Sequence, residues 1–508
     1  MARILLAKAR FNDGSSDLVM PLGIMYIASV LRESGHDVRI FDHGYREDGL
    51  ARFRAALRDF QPAVVGLSAL TSESMVMEQM AATARAACPE ATVMVGGPHA
   101  TAYPVRCALN PAIDYVVVGE GEVTAVELVN SLTKGGSPPA EIPGLFFRGD
   151  SDEVIDTGER ATIEDVDSIP FPAWDLVDID FYSRFSPMSD TGRRRHMLLF
   201  TSRGCPFKCI YCHEVQGKRF RSRSPENVLK EMELLRERHG VNDFEIIDDI
   251  FNFDRARMLD ILARVRSLHP LPTLNFPNAL RTDILDERQI IALKQSGTRS
   301  LCVAVETVTP RLQKFVKKHL RVGRVAENID LAVKHGMFVR GFFMLGFPTE
   351  TLSEARATVE FACGSNLHEA LFFIVTPFAG TALHELYMDQ LREKNREPTP
   401  LDEMNFLNGT GIHNLSEMTD SELFGLQREA FRRFYVSPRR LARLAMRHPR
   451  PWTLAERFSS GLGHMFSRRG ASAAERPRLE PNDREANTPV VLKQPPVLTG
   501  MRVAAARA

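Results

Sequence analysis

Thr201-Ser202-Arg203-Gly204-Cys205-Pro206-Phe207-Lys208-Cys209-Ile210-Tyr211-Cys212 decides how this chain is read. Its cysteines are spaced C-x₃-C-x₂-C, and it follows directly on a short apolar run, 196–201, that reads as a strand. Soft sulfur ligands suit iron–sulfur chemistry, and three thiolates on one tight loop can hold three irons of a 4Fe–4S cluster. No fourth cysteine is near, so one iron would stay open to bind something else. The competing reading is zinc, with His213 as fourth ligand. Structural zinc sites pair ligand couples far apart in sequence, which a contiguous triplet does not match. The remaining cysteines, Cys88, Cys107, Cys302 and Cys363, are scattered, and seven in 508 residues do not make a disulfide framework.

From this loop a β–α series runs toward the C-terminus. Further strands are predicted at 243–248, 273–278, 300–306, 338–346 and 370–376, with helical patterns between them. One helix is clearly signed, with Ser224 as N-cap, Pro225 at its first position, apolar Val228, Leu229, Met232 and Leu235, and Gly240 at its end. Six such units predict a parallel barrel or partial barrel with its active face at the carboxyl ends of the strands.

The first ~145 residues form another alternating series, with strands predicted at 3–8, 37–41, 63–68, 91–95 and 114–118. These runs are apolar throughout, as strands covered on both faces are, and strict alternation predicts a doubly wound parallel sheet. Such sheets bind ligands at their carboxyl ends. Here those ends read Ser68-Ala69-Leu70-Thr71-Ser72, Gly96-Gly97-Pro98-His99-Ala100-Thr101 and Gly119-Glu120-Gly121-Glu122, all small or polar. No G-x-G-x-x-G follows the first strand, which excludes a dinucleotide fingerprint. The expected layout is a sheet domain over 1–141, a linker with a small hairpin and proline-stiffened connector over 142–190, and the barrel core over 191–415. A helical extension is expected over 416–466, opening on the capping box Thr419-Asp420-Ser421-Glu422 with Met418 and Leu423 as its staple, and a disordered tail over 467–508.

Composition limits the partners. Lys+Arg and Asp+Glu are both 64, so a whole-chain electrostatic grip on nucleic acid is not expected, although 438–450 is locally basic. No run approaches the ~20 apolar residues that span a bilayer, and the N-terminus shows no signal-peptide pattern.

With these motifs in hand, the chain resembles the radical S-adenosylmethionine (SAM) enzymes, including the aromatic Tyr211 before the third cysteine. The resemblance implies a 4Fe–4S cluster on Cys205, Cys209 and Cys212, with SAM on its open iron. One electron would cleave SAM to a 5′-deoxyadenosyl radical that abstracts hydrogen from substrate. It also assigns later positions. Asp248 or Asp249 would accept from the SAM ammonium, Arg281 would meet its carboxylate, and Glu306 would contact the ribose. The strand end at Gly346 would let the adenosyl group approach the backbone, and Thr376 stands where the family binds adenine.

The first series is similar to the cobalamin-binding domain that precedes many radical SAM cores, on the evidence of Pro21-Leu22-Gly23-Ile24-Met25-Tyr26 and the Gly97 and Gly119 loops. Corrin contacts would then come from Ser68, Thr71, Ser72, Gly97, Pro98, His99, Gly119, Glu120 and Gly121. The family's D-x-H-x-x-G is absent. Asp42-His43-Gly44 lacks its spacing, so His43 is not assigned as a cobalt ligand, and His99 is read as a loop, phosphate or amide contact. The resemblance therefore implies a Rossmann-like cobalamin-binding domain, a partial (β/α)₆ TIM-type barrel and a helical extension. Its leading functional expectation is a cobalamin-dependent C-methyltransferase. This would use methylcobalamin on a small-molecule, natural-product or lipid-like substrate, with a flavodoxin or ferredoxin as external electron donor, in the cytoplasm. The alternatives are an oxidative cyclase or rearrangement enzyme of the magnesium-protoporphyrin ester type, an RNA methylthiotransferase, and a non-catalytic cofactor sensor.

Overall fold

The computed structural model describes residues 1–10, 19–42, 48–185, 187–189, 195–398 and 413–447. Among these, one compact unit comprises 1–10 and 30–162, and a second comprises 19–29 and 163–447. His43, Arg450, the rest of the extension beyond 447 and the expected tail lie outside the described residues.

In the first unit, strands β1 (Arg3–Lys8), β2 (Asp37–Phe41), β3 (Val64–Ser68), β4 (Thr92–Gly96) and β5 (Tyr115–Val117) are parallel, in the order β2-β1-β3-β4-β5. Their apolar runs are covered: Leu5, Val65 and Val93 share a core with Phe53 and Leu57 of helix Gly49–Phe60 and with Met77 and Met80 of helix Ser74–Ala87. Each such side chain contributes roughly 1.5–3 kcal/mol by leaving water. Strand order reverses direction between β1 and β3, and such a switch point opens a crevice at the carboxyl edge. The hairpin expected in the connector, β6 (Leu145–Arg148) and β7 (Val154–Asp156), instead pairs antiparallel on to β5. Residues 142–162 are thus an extension of this sheet rather than a linker.

The second unit carries β8 (His196–Leu199), the two-residue pair β9 (Ser202–Arg203) and β10 (Arg221–Ser222), then β11 (Asp243–Ile246), β12 (Thr273–Leu280), β13 (Thr298–Glu306), β14 (Phe338–Leu345) and β15 (Glu369–Ile374). Apart from β9 and β10, these form one parallel six-stranded sheet in sequence order, with β8 and β15 at opposite edges. Sequential parallel strands with intervening helices are the build of a partial (β/α) barrel. Its amino end carries a buried polar network. Asn275 donates to Asp243 (2.8 Å), Ser300 donates to Asn275 (2.9 Å), and Arg340 pairs with Glu369 (2.6 Å). The buried Glu245 carboxylate accepts from the backbone N–H groups of Met188 (3.0 Å) and Ser189 (2.6 Å).

The β15 edge is covered by helix Asp420–Tyr435, whose N-terminus has the expected reciprocal capping between Thr419 and Glu422. Met418 and Leu423 are both buried. Side chains on this helix replace the missing ladder partners. Gln427 donates to Phe372 O (2.8 Å), while the Tyr435 hydroxyl donates to Ala370 O (3.0 Å) and accepts from Ala370 N–H (3.2 Å). The basic stretch that follows is partly structural. Arg440 is buried, lies 3.7 Å from the centre of the Phe434 ring and donates to the carbonyls of Leu367 and Cys363.

Candidate active site

The cysteine loop leaves β8 and is closed by β9 and β10, which pair antiparallel at its base. Gly204 makes this closure possible. It has φ +79°, and a Cβ would lie 2.2 Å from Arg219 O and 2.9 Å from Gln216 O. Cys205 N–H donates to Gly217 O (3.3 Å), and Cys212 N–H to Cys209 O (3.2 Å). Ile210 anchors the far side, donating to Val316 O (3.1 Å) and accepting from Leu383 N–H (2.9 Å). All three cysteines are partly exposed thiols outside any disulfide. Burial pushes the Cys212 thiol up to about 12 and raises that of Cys205, so neither ionises at neutral pH without an electron-poor metal to take the sulfur. Among the described residues no three His, Cys, Asp or Glu side chains gather on one ion. The all-thiol donor set fits a cluster whose metals each take one sulfur.

The two aspartates at the end of β11 separate. Asp248 is buried and accepts from Thr201 N–H (2.6 Å), Thr201 Oγ1 (2.5 Å) and Ser202 Oγ (2.6 Å). It clamps the root of the cysteine loop, so the expectation that it meets SAM gives way to this structural job. Burial nevertheless raises its carboxyl above the ordinary value, opposed by Arg257 and those three donors. Arg257 completes the clamp by donating to the carbonyls of Thr201 and Arg223. Asp249 lies on the loop side, accepting from Gly204 N–H; burial raises its carboxyl, against the pull of His213.

Backbone strain concentrates at the next two strand ends. Register shifts interrupt β12 between Phe276 and Leu280 and β13 between Ala304 and Glu306, and Ala279 (φ +75°) and Glu306 (φ +63°) are left-handed. Such residues cluster at functional sites, where bulges re-aim side chains. Glu306 accepts from Lys318 Nζ (3.1 Å) in a buried pair, and Lys318 Nζ also lies 5.9 Å from the Tyr211 ring centre. Arg281 is already engaged. Its Nε is 3.1 Å from Asp283, its Nη2 donates to Lys318 O (2.8 Å), and its guanidinium stacks 3.7 Å over Phe207 of the cysteine loop. Lys318 escaped the sequence reading because only the fold joins it to the loop, and Phe207, within the loop, because only the fold brings Arg281 over its ring. The unusual run Lys317-Lys318-His319, with φ +54° at Lys317 and +52° at His319, was the available hint.

The last two strand ends carry Gly346 and Thr376. Gly346 has φ +97°, and a Cβ there would meet Leu423 of the C-terminal helix at 3.1 Å. Its N–H and that of Phe347 donate to Glu350 (2.6 and 3.1 Å). Phe347 packs against Tyr211, with ring centres 5.7 Å apart. Thr376 is buried and bonds back to Ile374 O (3.2 Å), so its hydroxyl serves the strand end.

The first unit's loops form a separate set. Lys8 at the end of β1 pairs with Glu73, and Arg10 pairs with Asp42 (3.1 Å); burial pushes the Asp42 carboxyl up to about 6. Glu73 also accepts from Leu70 N–H (2.7 Å), which shapes the turn carrying Thr71 and Ser72. Gly97 (φ +87°) sits against Ser68, whose Oγ lies 2.5 Å from where a Cβ would be, and Pro98 begins the next short helix. His99 is fully buried, and among the described residues neither ring nitrogen has a hydrogen-bond partner; burial pushes it down to about 4. It is therefore a neutral imidazole held beside Tyr103, with ring centres 5.2 Å apart. Gly119 (φ +75°) donates to Thr101 Oγ1 (3.1 Å), while Glu120 and Gly121 begin helix Gly121–Lys134. These residues all lie at the carboxyl edge, where the switch point places ligands.

A family model described as B12 binding domain matches residues 15–129, and one described as Radical SAM superfamily matches 199–362. An uncharacterized methyltransferase of Pyrococcus horikoshii is 32% identical over 436 residues, which cover 84% of this chain and 90% of that protein. This chain is a radical SAM enzyme with a B12-binding domain. The cytidylyl-2-hydroxyethylphosphonate methyltransferase of Streptomyces wedmorensis is 28% identical over 412 residues, covering 72% of this enzyme and 77% of its own length. In fold, the enzyme is similar to OxsB, a cobalamin-dependent SAM radical enzyme solved with aqua-cobalamin and SAM bound. The TM-score is 0.70 at 15% identity, with 92% and 71% of the two chains covered. No described helix is long and apolar enough to cross a membrane.

Proposed function

We propose that this enzyme is a cobalamin-dependent C-methyltransferase that acts on an unactivated carbon of a small molecule. The observation that carries the reading is the stapled cysteine loop at the end of β8, in a chain that also carries a B12-binding domain. The methyltransferase names of its relatives support the direction of the chemistry. When bound, the cluster with SAM supplies a 5′-deoxyadenosyl radical, and cobalamin supplies a methyl group. The chain supplies position. Cys205, Cys209 and Cys212 would hold the cluster, on a loop whose root is fixed by Asp248 and Arg257. Asp249 is the carboxylate left to take the SAM ammonium, and Glu306, re-aimed by its bulge, is the acceptor for a ribose hydroxyl. Arg281 would meet the SAM carboxylate by sharing the guanidinium now held by Asp283. In the first unit, the Ser68, Thr71, Gly97 and Gly119 edge would receive the corrin. Such chemistry requires a reducing compartment, the cytoplasm, and an external one-electron donor.

The test is anaerobic turnover with cluster, cobalamin, reductant and methyl-labelled SAM against fractionated extract. The expected result is labelled small-molecule product, with S-adenosylhomocysteine and 5′-deoxyadenosine formed together. Formation of 5′-deoxyadenosine without S-adenosylhomocysteine would refute methylation and assign the enzyme to cyclisation or rearrangement.

A further inference from the structure

We infer that an acidic one-electron carrier protein docks on a basic rim formed by Lys208, Lys314 and Lys317 beside the exposed ring of Phe253. The inference rests on the radical SAM reading of the cysteine loop and names the surface through which that loop receives its electron. The formal charge of the whole chain is zero, yet the two segments that meet at the cysteine loop carry three exposed lysines. Lys208 stands between Cys205 and Cys209, and Lys314 and Lys317 flank the turn that anchors the same loop. The two segments are joined two ways, directly and through Arg281 as a bridge. Ile210 N–H donates to Val316 O (3.1 Å), Arg281 donates to Lys318 O (2.8 Å), and Arg281 stacks on Phe207 (3.7 Å). All three lysines are exposed, and among the described residues none has an ion-pair partner. Nearby cations elsewhere do: Lys218 pairs with Glu214, Arg219 with Glu164 and Arg255 with Asp286.

The rim is held in shape at a cost. Left-handed Lys317 and His319 are imposed by Gln313, whose side chain donates to the carbonyls of Val305 and Thr307 and accepts from Leu320 N–H (2.9 Å). Strain of this kind persists where the surroundings over-determine it. Phe253, 44% exposed, meets Phe207 edge-on with ring centres 6.1 Å apart and Phe220 at 5.1 Å. Exposed Phe253, packed on the ring next in sequence to unpaired Lys208, together with the cations of the adjoining turn, matches a partner that is acidic around an apolar cofactor edge. Complementary charge of this kind raises association rates and falls off with salt. In the transfer, one electron leaves the carrier's reduced centre, which is oxidised by one, and the cluster is reduced by one.

The experiment compares wild-type holoenzyme with Lys314→Glu/Lys317→Asn, asparagine being tolerant of the left-handed turn. Lys230→Glu/Arg238→Glu, on the exposed side of helix Pro225–His239, is the charge control. Ferredoxin is the probe. Its affinity in the oxidised state and its rate of cluster bleaching are measured at low and high salt, beside bleaching by dithionite. We expect the lysine variant to lose about tenfold in ferredoxin affinity and bleaching rate at low salt, with dithionite bleaching unchanged and the control like wild type. Unchanged ferredoxin affinity, or an equal loss in the control, overturns the docking surface. Loss of tRNA binding with ferredoxin affinity intact overturns it in favour of nucleic acid. Wild-type protein that binds no cluster dithionite can bleach overturns the radical SAM reading instead.

Discussion

Replacing Glu350 with glutamine should make the enzyme more stable at alkaline pH and leave it little changed in acid. Glu350 is fully buried, and one of its oxygens accepts the N–H groups of Gly346 and Phe347 while the other has no hydrogen-bond partner among the described residues. Burial pushes its carboxyl from an ordinary 4.5 up to about 7, against the two backbone donors that favour the charged form. The folded state therefore holds a proton that the unfolded chain releases between pH 4.5 and 7. Stability from this residue is complete below pH 4.5 and lost as pH rises through 7. At 1.36 kcal/mol per pH unit, that gap corresponds to about 3 kcal/mol. Glutamine keeps an oxygen for the two N–H groups and carries no charge at any pH, so it should escape the loss. At roughly 2–4 °C per kcal/mol for a domain of this size, the Tm difference between Glu350→Gln and wild type should grow by several degrees from pH 5 to pH 8. Thermal unfolding followed by circular dichroism across that range measures it. A difference that stays constant, or shrinks as pH rises, would refute the reasoning.

Three further substitutions probe the scaffold of the site. Gly204→Ala places a methyl group 2.2 Å from Arg219 O and should open the β9–β10 closure, with iron per chain after anaerobic reconstitution falling to about half or less; wild-type iron content would count against the staple. Asp248→Ala strips the acceptor from Thr201 N–H and from the Thr201 and Ser202 hydroxyls, and should cost about 3 kcal/mol in a urea titration. A loss under about 1 kcal/mol would mean the clamp is dispensable. Tyr435→Phe removes two hydrogen bonds to Ala370 and should cost about 1–2 kcal/mol, with faster hydrogen exchange at the Ala370 amide as the specific signature.

The sequence reading located the parallel strands of both sheets because each is a short apolar run between punctuated helices. Predicted 37–41 is β2 to the residue, and predicted 300–306 lies within β13. The capping box at Thr419 was legible because its four residues are contiguous. Features that join distant segments were not. Nothing local says that Asp248 turns to Thr201 while Asp249 faces the cysteine loop, or that Leu423, 77 positions on, lies against Gly346. A side chain that bonds the carbonyls of a distant turn leaves no periodic trace, so the basic stretch after 438 gave no sign that Arg440 is buried. The hairpin was legible as a hairpin, but its pairing with β5 was not, since an edge strand's partner depends on which edge the fold leaves open.

The bonds from Gln427 and Tyr435 to β15 bear on how this protein avoids itself. A sheet that stops at six strands presents one row of amides and carbonyls at its last margin, and such a margin recruits strands from neighbouring molecules. Here the row is occupied by an amide and a phenol on a helix, groups that satisfy the backbone without offering a new edge. A shortened chain that ends before Thr419 would leave the sheet intact and its margin bare. Its failure would appear as self-association during purification rather than as lost secondary structure.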